Sequence, residues 1–409
     1  MKKKVLLTSI CTIALCLCLI AGSTFALFTT SDSVNVAVTA GKVELTANLD
    51  SDSMKTWSLY ETEADARFDG LFNNGGTAKI TDEANVVIER MTPGDVAKFM
   101  IDVENFSNVA VQYRVRMISN GVEGVKDLTE ALVITAYIDG MVYPVTGTEN
   151  ATIWKYIDSV DTTINDIWVT VSFPNHDKDG SKDNQFQEAQ ANMTFIVEAV
   201  QGNAYDFVVA TSEEDFFDSN GYFKNGVFSG EGATIDVTGT NGYVSGDVTL
   251  SNVTVDGSNM SYDNLGAINI FDDGENTTLI LTEGTTVVSR EDALTVFAFM
   301  SPEGEDVTMM VDNGAKLVAT GSDACILYVQ GWAGSEFNLV LNSSAAECLE
   351  MNDGANGFVF EGNDGDTLIV NIYARNLTEM EEYLALVDAV DTTIICFVDG
   401  TYWDTFEYN

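Results

Sequence analysis

Between Thr277 and Asp366 the chain repeats itself. "TTLILTEGTTVVS" begins at Thr277, "DVTMMVDNGAKLVAT" at Asp306, "EFNLVLNSSAAECLEM" at Glu336 and "DTLIVNIYARNLTEM" at Asp366, at intervals of 29, 30 and 30 residues. A second series interleaves with the first: "GAINIF" at Gly266, "DALTVF" at Asp292, "DACILYV" at Asp323 and "GANGFVF" at Gly354. Each run is strand-length and is bounded by Gly, Asp or Asn, the residues that turn a chain. A unit this small cannot bury its own apolar side, so successive units must stack and share a core. The spacing therefore predicts a β-solenoid over 205–409. "GVFSGEGATIDVTG" and "GYVSGDVTLSNVTVDG" read as its opening coils, and "TEMEEYLALVDAVDTT", Thr378 to Thr393, as a helix that caps or flanks its end. A second antiparallel sandwich is the alternative, because the repeats share spacing more than identity.

The first half follows a different grammar. "VNVAVTAGKVELTANL" alternates, "VVIERMTPGDVAKFMIDVENFSNVAVQYRVRMIS" gives two strands joined at Asn105-Phe106-Ser107-Asn108, and "IWVTVSF" and "ANMTFIVEAVQ" give two more. Thr92-Pro93-Gly94-Asp95 is a turn signal, with proline presetting φ and glycine supplying the permissive position. Short alternating strands with little helical periodicity predict an all-β sandwich over 28–201, of which the jelly roll is one form.

Three lysines lead into an apolar run from Val5 to Gly22 and then Thr24-Phe25-Ala26, the layout of a secretory signal over 1–27, with cleavage at Ala26 or Leu27. An uncleaved anchor is the competing reading of that run. The net charge of −44 repels nucleic acid and anionic lipid, and it suits a soluble surface that bridges cations to an anionic cell wall. Abundant aromatic and β-branched residues favour folding over disorder. Cys325, Cys348 and Cys396 remain beyond the leader; they allow at most one disulfide, and buried free thiols are the alternative.

Three stretches carry a resemblance: "FALFTTSDSVNVAVTAGKVEL", "MTPGDVAKFMIDVENFSNVAVQYRV" and "NQFQEAQANMTFIVEAVQ". They resemble the signal-to-strand junction, central PGD turn and final strand of the TasA/camelysin family of Gram-positive extracellular matrix proteins. The family's junction pattern places an aromatic about ten residues before T-A-G-x-L-x-L; here Phe28, Thr39, Ala40, Gly41, Val43 and Leu45 hold those places, with Val43 replacing the usual leucine. The likeness covers roughly 27–201. It departs at an acidic insertion from Asp50 to Asn85 and in everything after Asn203. The resemblance implies a jelly roll that builds biofilm fibres by donor-strand exchange, and processing by a dedicated signal peptidase. Phe28, Val34, Val36 and Val38 would then be donated to the next subunit, with the main chain supplying affinity and the valines filling pockets. An ordinary first strand within its own domain is the alternative.

Catalytic chemistry finds little support in composition. A serine or cysteine hydrolase needs a base, usually histidine, and the chain has only His176. An H-E-x-x-H zinc site needs two histidines, so the chain is expected not to be an enzyme. Residues 205–409 hold four basic side chains (Lys224, Arg290, Lys316 and Arg375) with which a polysaccharide lyase would have to work. The expected cofactor is none, with Ca²⁺ as the one candidate: Asn175, Asp177, Asp179 and Gly180 match the opening of an EF-hand loop, with Asp183 nearby as a further ligand, although Phe186 stands where the loop's final glutamate belongs. The function expected is a secreted surface or matrix structural protein that self-associates into fibres, with cell-wall or other matrix components as further partners and no nucleic acid. A monomeric adhesin or glycan-binding protein, using exposed aromatics such as Trp332 or Trp403, is the second expectation. A carbohydrate-active enzyme built on a carboxylate pair is the third.

Overall fold

The chain is all-β, a jelly-roll sandwich followed by a β-solenoid. The computed structural model describes residues 43–409 except 60, 110, 122–123, 146–151, 153–154, 158–166, 177–182, 187, 202–207, 239–241, 261–265, 272–276, 299–305, 323, 332–334, 353, 364–366 and 409.

The sandwich contains β1 (Leu45–Trp57), β2 (Thr77–Ile80), β3 (Asn85–Glu89), β4 (Val96–Asn105), β5 (Val111–Ser119), β6 (Val133–Ile138), β7 (Met141–Pro144), β8 (Lys155–Ile157), β9 (Ile167–Ser172) and β10 (Gln190–Gln201). They form two antiparallel sheets, ordered β1-β4-β9-β6-β7 and β2-β3-β10-β5-β8. The alternation read from the sequence places Phe99, Ile101, Val169, Val171 and Ile134 of one sheet in a common core with Val115, Tyr113, Met193 and Phe195 of the other. Phe99 and Phe195 meet edge to face with ring centroids 5.1 Å apart. The stretch from Val86 to Ser119 holds three strands rather than two, because the PGD turn separates β3 from β4. The acidic insertion is only partly a loop. Its first residues extend β1 past a bulge between Asp50 and Lys55, and its last supply β2.

The second half contributes β11 (Val208–Val209), β12 (Gly226–Asp236), β13 (Tyr243–Val244), β14 (Asp247–Gly257), β15 (Ile268–Phe271), β16 (Thr277–Leu281), β17 (Thr286–Ser289) and β18 (Leu294–Ala298). It continues with β19 (Asp306–Val311), β20 (Lys316–Ala319), β21 (Cys325–Gly331), β22 (Glu336–Leu341), β23 (Leu349–Met351) and β24 (Asn356–Gly362). β25 (Leu368–Ala374), β26 (Val387–Val390), β27 (Thr392–Val398) and β28 (Thr401–Tyr408) complete it. Three parallel ladders run along the coil. The first joins β12, β14, β16, β19, β22, β25 and β27. The second joins the far halves of β12 and β14 to β17, β20 and β23. The third joins β13, β15, β18, β21, β24 and β26. The 30-residue period is the register of the central coils, from Leu279 to Met309 to Leu339, and the same inward column continues through Ile372 and Cys396 although the last coils are longer and shorter. Every one of them is buried.

The stretch from Thr378 to Thr393 corrects the helix expectation. Only Leu377–Leu384 is helical; Val387–Val390 is a strand, because Phe358 and Val387 pair in the third ladder. The helix lies inside a coil, and the end of the solenoid is instead closed by β28 folding back antiparallel on β27 through Asp399-Gly400. Both turn residues have positive φ, 52° and 72°, the geometry that an Asp-Gly pair supplies in a two-residue hairpin.

The two halves share a core. Side chains alternate along each strand, so the neighbours of the inward column should face water. Ile280, Met310, Val340, Tyr373 and Phe397 form that outward column, and all are buried in one cluster with sandwich residues such as Ile138, Val142 and Tyr143. Covered on both sides, the first ladder reads in sequence as short continuous apolar runs such as "LIL" and "LVL".

Candidate assembly interface

Assembly by strand addition depends on which sheet edges are open, and the backbone shows how each is treated. β7 ends one sheet. Val145 N–H donates to Ile134 O (2.8 Å), which turns the main chain of Met141 and Tyr143 toward β6 and that of Val142 outward. The outward groups of Val142 are met by one side chain from the solenoid. Its N–H donates to Asn342 Oδ1 (3.2 Å) and its carbonyl accepts from Asn342 Nδ2 (3.5 Å). Asp312 Oδ1 accepts from the same amide nitrogen at 2.9 Å and fixes its orientation. The next outward residue, Pro144, has no N–H to offer. The asparagine side chain thus acts as a one-residue strand against β7.

β1 ends the same sheet on the other side, and the insertion covers it. Thr56 and Arg67 exchange both backbone hydrogen bonds (2.9 and 2.8 Å), and Leu49 N–H donates to Glu83 O at 2.9 Å. β2 ends the second sheet; Ala78 N–H donates to Gly70 O (2.8 Å) and Thr77 bridges to Leu71. β8 ends that sheet at its far side and is only three residues long, pairing with Val111, Gln112 and Tyr113 of the nine-residue β5. Further along β5, Val115 N–H donates to Thr152 Oγ1 (3.0 Å).

A polar cluster fastens the solenoid hairpin to the sandwich. Lys98 on β4, with its side chain nearly buried, holds Glu63 of the insertion at 3.0 Å and Asp399 of the hairpin turn at 3.5 Å. Lys55 reaches the same Glu63 at 2.8 Å, and both ammonium groups lie over the Trp168 ring. Burial penalises the Glu63 carboxylate, but hydrogen bonds and charge from the two lysines outweigh it and hold the carboxyl below its ordinary range. Burial dominates at Asp399 and pushes it up despite Lys98. Thr135 Oγ1 donates to Gly400 O (2.8 Å), Tyr402 N–H to Ser172 Oγ (3.2 Å) and Thr405 Oγ1 to Asn175 O (2.8 Å).

The PGD turn forms as its residues require. Asp95 N–H donates to Thr92 O (2.9 Å), and Gly94 sits at φ +90°, where a Cβ would fall 2.6 Å from Leu59. Asp95 Oδ2 accepts from the Thr92 N–H and hydroxyl, both at 2.7 Å, and burial raises its carboxyl above the ordinary range.

The sequence-derived site residues fall as follows. Ala26, Leu27, Phe28, Val34, Val36, Val38, Asp177, Asp179 and Trp332 lie outside the described residues. Val43 and Leu45, which close the junction motif, are buried where the chain enters the sandwich. Asp183 is buried, with Oδ1 2.7 Å from His176 Nδ1 and Oδ2 accepting from the His176 N–H. The Asn175 carbonyl accepts from Thr405 Oγ1 of the terminal strand. Phe186 packs edge to face on Phe173 in the core. Cys325, Cys348 and Cys396 are free, buried thiols. Trp403 is 38% exposed beside Phe406. No helix among the described residues is long and apolar enough to cross a membrane. Asn342, Arg67 and Gly70 were not singled out from the sequence; no motif marks a residue whose task is to satisfy another strand's backbone.

A family model described as camelysin metallo-endopeptidase matches residues 1–206. No curated protein and no solved structure matches the chain. The family's description overturns the expectation that the chain is not an enzyme. That expectation rested on counting histidines, whereas carboxylates also hold divalent metals, and the chain has 63 acidic residues. A metallopeptidase centre needs about three protein ligands converging on one ion. Among the described residues no three His, Cys, Asp or Glu side chains are so grouped, and His176 faces Asp183 alone in its ion pairing. The described residues do not fit that centre. With the match spanning just over half of its 409 residues, the chain belongs to the camelysin metallo-endopeptidase family.

Proposed function

We propose that this chain is a secreted structural protein of the Gram-positive cell surface or extracellular matrix, and that it assembles by strand donation. In this reading the leader directs export, a signal peptidase cuts near Ala26 or Leu27, and the freed Phe28–Val38 segment adds to the sandwich of the next subunit. Family membership supports the surface and matrix setting. The observation that carries the assembly reading is the position of β1, an edge strand that begins at Leu45, a few residues after the candidate donor segment. A segment leaving a sheet edge can pair in trans once its leader is gone, and β-augmentation then supplies main-chain hydrogen bonds along its length. Ca²⁺ bound at the loop of Asn175, Asp177, Asp179 and Asp183 belongs to the same reading, as a cation that rigidifies the subunit.

Trp403 favours a second reading, adhesion to glycan, because an exposed ring beside Phe406 on the terminal strand offers a flat apolar face. Electron microscopy and size-exclusion chromatography of chains beginning at Phe28 and at Val43 separate the two. Fibres from the first and monomers from the second support strand donation; folded monomers from both, with and without Ca²⁺, overturn it.

A further inference from the structure

The cluster at Lys98 gathers the groups that turn an amine and an acid into an amide: a primary amine, a carboxyl group to be attacked, and a second carboxylate to move the proton. Lys98 sits on β4 opposite Lys55 of β1 and Thr170 of β9, with its side chain 7% exposed. Its Nζ lies 3.0 Å from Oε2 of Glu63, on the short 3-10 helix Glu63–Asp65 of the insertion, and 3.5 Å from Asp399 Oδ2 at the solenoid hairpin turn. The three groups come from three segments, and each is held in place. β4 is paired on both sides, Thr135 anchors the turn through Gly400 O, and Glu63 is also bound by Lys55.

We propose that Lys98 and Asp399 condense to an isopeptide bond that joins the sandwich covalently to the solenoid, with Glu63 as the base that relays the proton. This goes beyond the assembly reading above and does not depend on it. The Lys98 ammonium gives one proton to Glu63, and the freed nitrogen lone pair attacks Cγ of Asp399 in its acid form. As the C–N bond forms, a second N–H proton passes to solvent. Glu63 then returns its proton to the departing hydroxyl of Asp399, which leaves as water. Nothing is oxidised or reduced, and no co-reactant is required.

The two carboxyls are told apart by their surroundings. Glu63 is the nearer, but although burial penalises its anion, the two lysines outweigh that and favour the ionised form, a good base and a poor electrophile. Burial raises Asp399 toward the acid form that an amine attacks, against the pull of Lys98. Lys55 shares Glu63, yet among the described residues Lys98 is the lysine that pairs with Asp399. Groups fixed about 3–3.5 Å apart react as though highly concentrated. Both carboxyls keep a part-exposed side by which the water leaves. The bond would link positions 301 residues apart and hold the hairpin turn against β4.

The test is peptide mapping of the purified full chain by tandem mass spectrometry after tryptic digestion. Trypsin does not cut at an acylated lysine. The expected product is therefore a branched species joining 91–114 to 376–409, lighter than the two together by one water. Lys98→Arg and Glu63→Gln should both leave 376–409 unbranched, with circular dichroism showing the fold retained. In the unmodified chain, cleavage after Lys98 with 376–409 unbranched overturns the proposal. Loss of water within 376–409 alone also overturns it, because that product is the cyclic imide of Asp399 with Gly400. A branch to Lys55 overturns the choice of nucleophile, and a branch that survives Glu63→Gln overturns the role of Glu63.

Discussion

Replacing Val340 by alanine separates a solenoid that is locked to the sandwich from one that merely follows it in sequence. Val340 points out of the solenoid, in register with Met310 and Tyr373, and has no exposed surface. On a free solenoid face the substitution would cost at most about 1 kcal/mol, the span of strand propensity. Under the sandwich it removes two buried methyl groups. At about 0.8 kcal/mol for each methylene-sized group this is roughly 1.6 kcal/mol of transfer free energy, and a cavity that does not collapse raises the total to about 2–3 kcal/mol. Val318→Ala is the matched control, because Val318 also faces outward but on the second ladder and is only half-buried; its expected cost is about 0.5 kcal/mol. Urea denaturation followed by tryptophan fluorescence and circular dichroism reads both. The account requires a single transition for sandwich and solenoid together, with the larger loss at Val340. Equal small losses at the two positions, with two separate transitions, would refute the shared core.

Two further outcomes follow from the PGD turn. Gly94→Ala places a Cβ at positive φ and against Leu59, and thermal unfolding should show a loss of about 2 kcal/mol. Asp95 is held above its ordinary pKa by burial, so the folded state binds that proton more tightly than the unfolded state. Its contribution is therefore fully present below the unfolded value and lost as pH rises through the raised folded value. The stability difference between wild type and Asp95→Asn, followed by denaturant titration, should decline with rising pH across that window; a flat difference contradicts the assignment.

Much of this fold is legible in the sequence because local pattern and tertiary register coincide. The interval from Thr277 to Asp306 to Glu336 becomes the vertical spacing of β16, β19 and β22, and the alternation in "VQYRVRM" becomes the core face of β5. Helix propensity in "TEMEEYLALVDAV" misleads for Val387–Val390, where pairing with β24 outweighs it. The docking of the two halves leaves only a faint trace. Neighbouring apolar residues such as Met309-Met310 and Leu339-Val340 break the alternation of a strand with one wet face, but a run this short does not say what covers it. Asn342 is silent, since an asparagine after a strand reads as a turn residue until the backbone it satisfies, 200 positions away at Val142, is in view.

Hydrogen exchange of the amides from Phe28 to Val38, compared between dilute monomer and assembled protein, tests strand donation most directly. The account predicts rapid exchange in the monomer and strong protection only after assembly. Protection already complete in the monomer would make the segment an ordinary strand of its own domain, and rapid exchange within fibres would remove it from the assembly contact; either result contradicts the account.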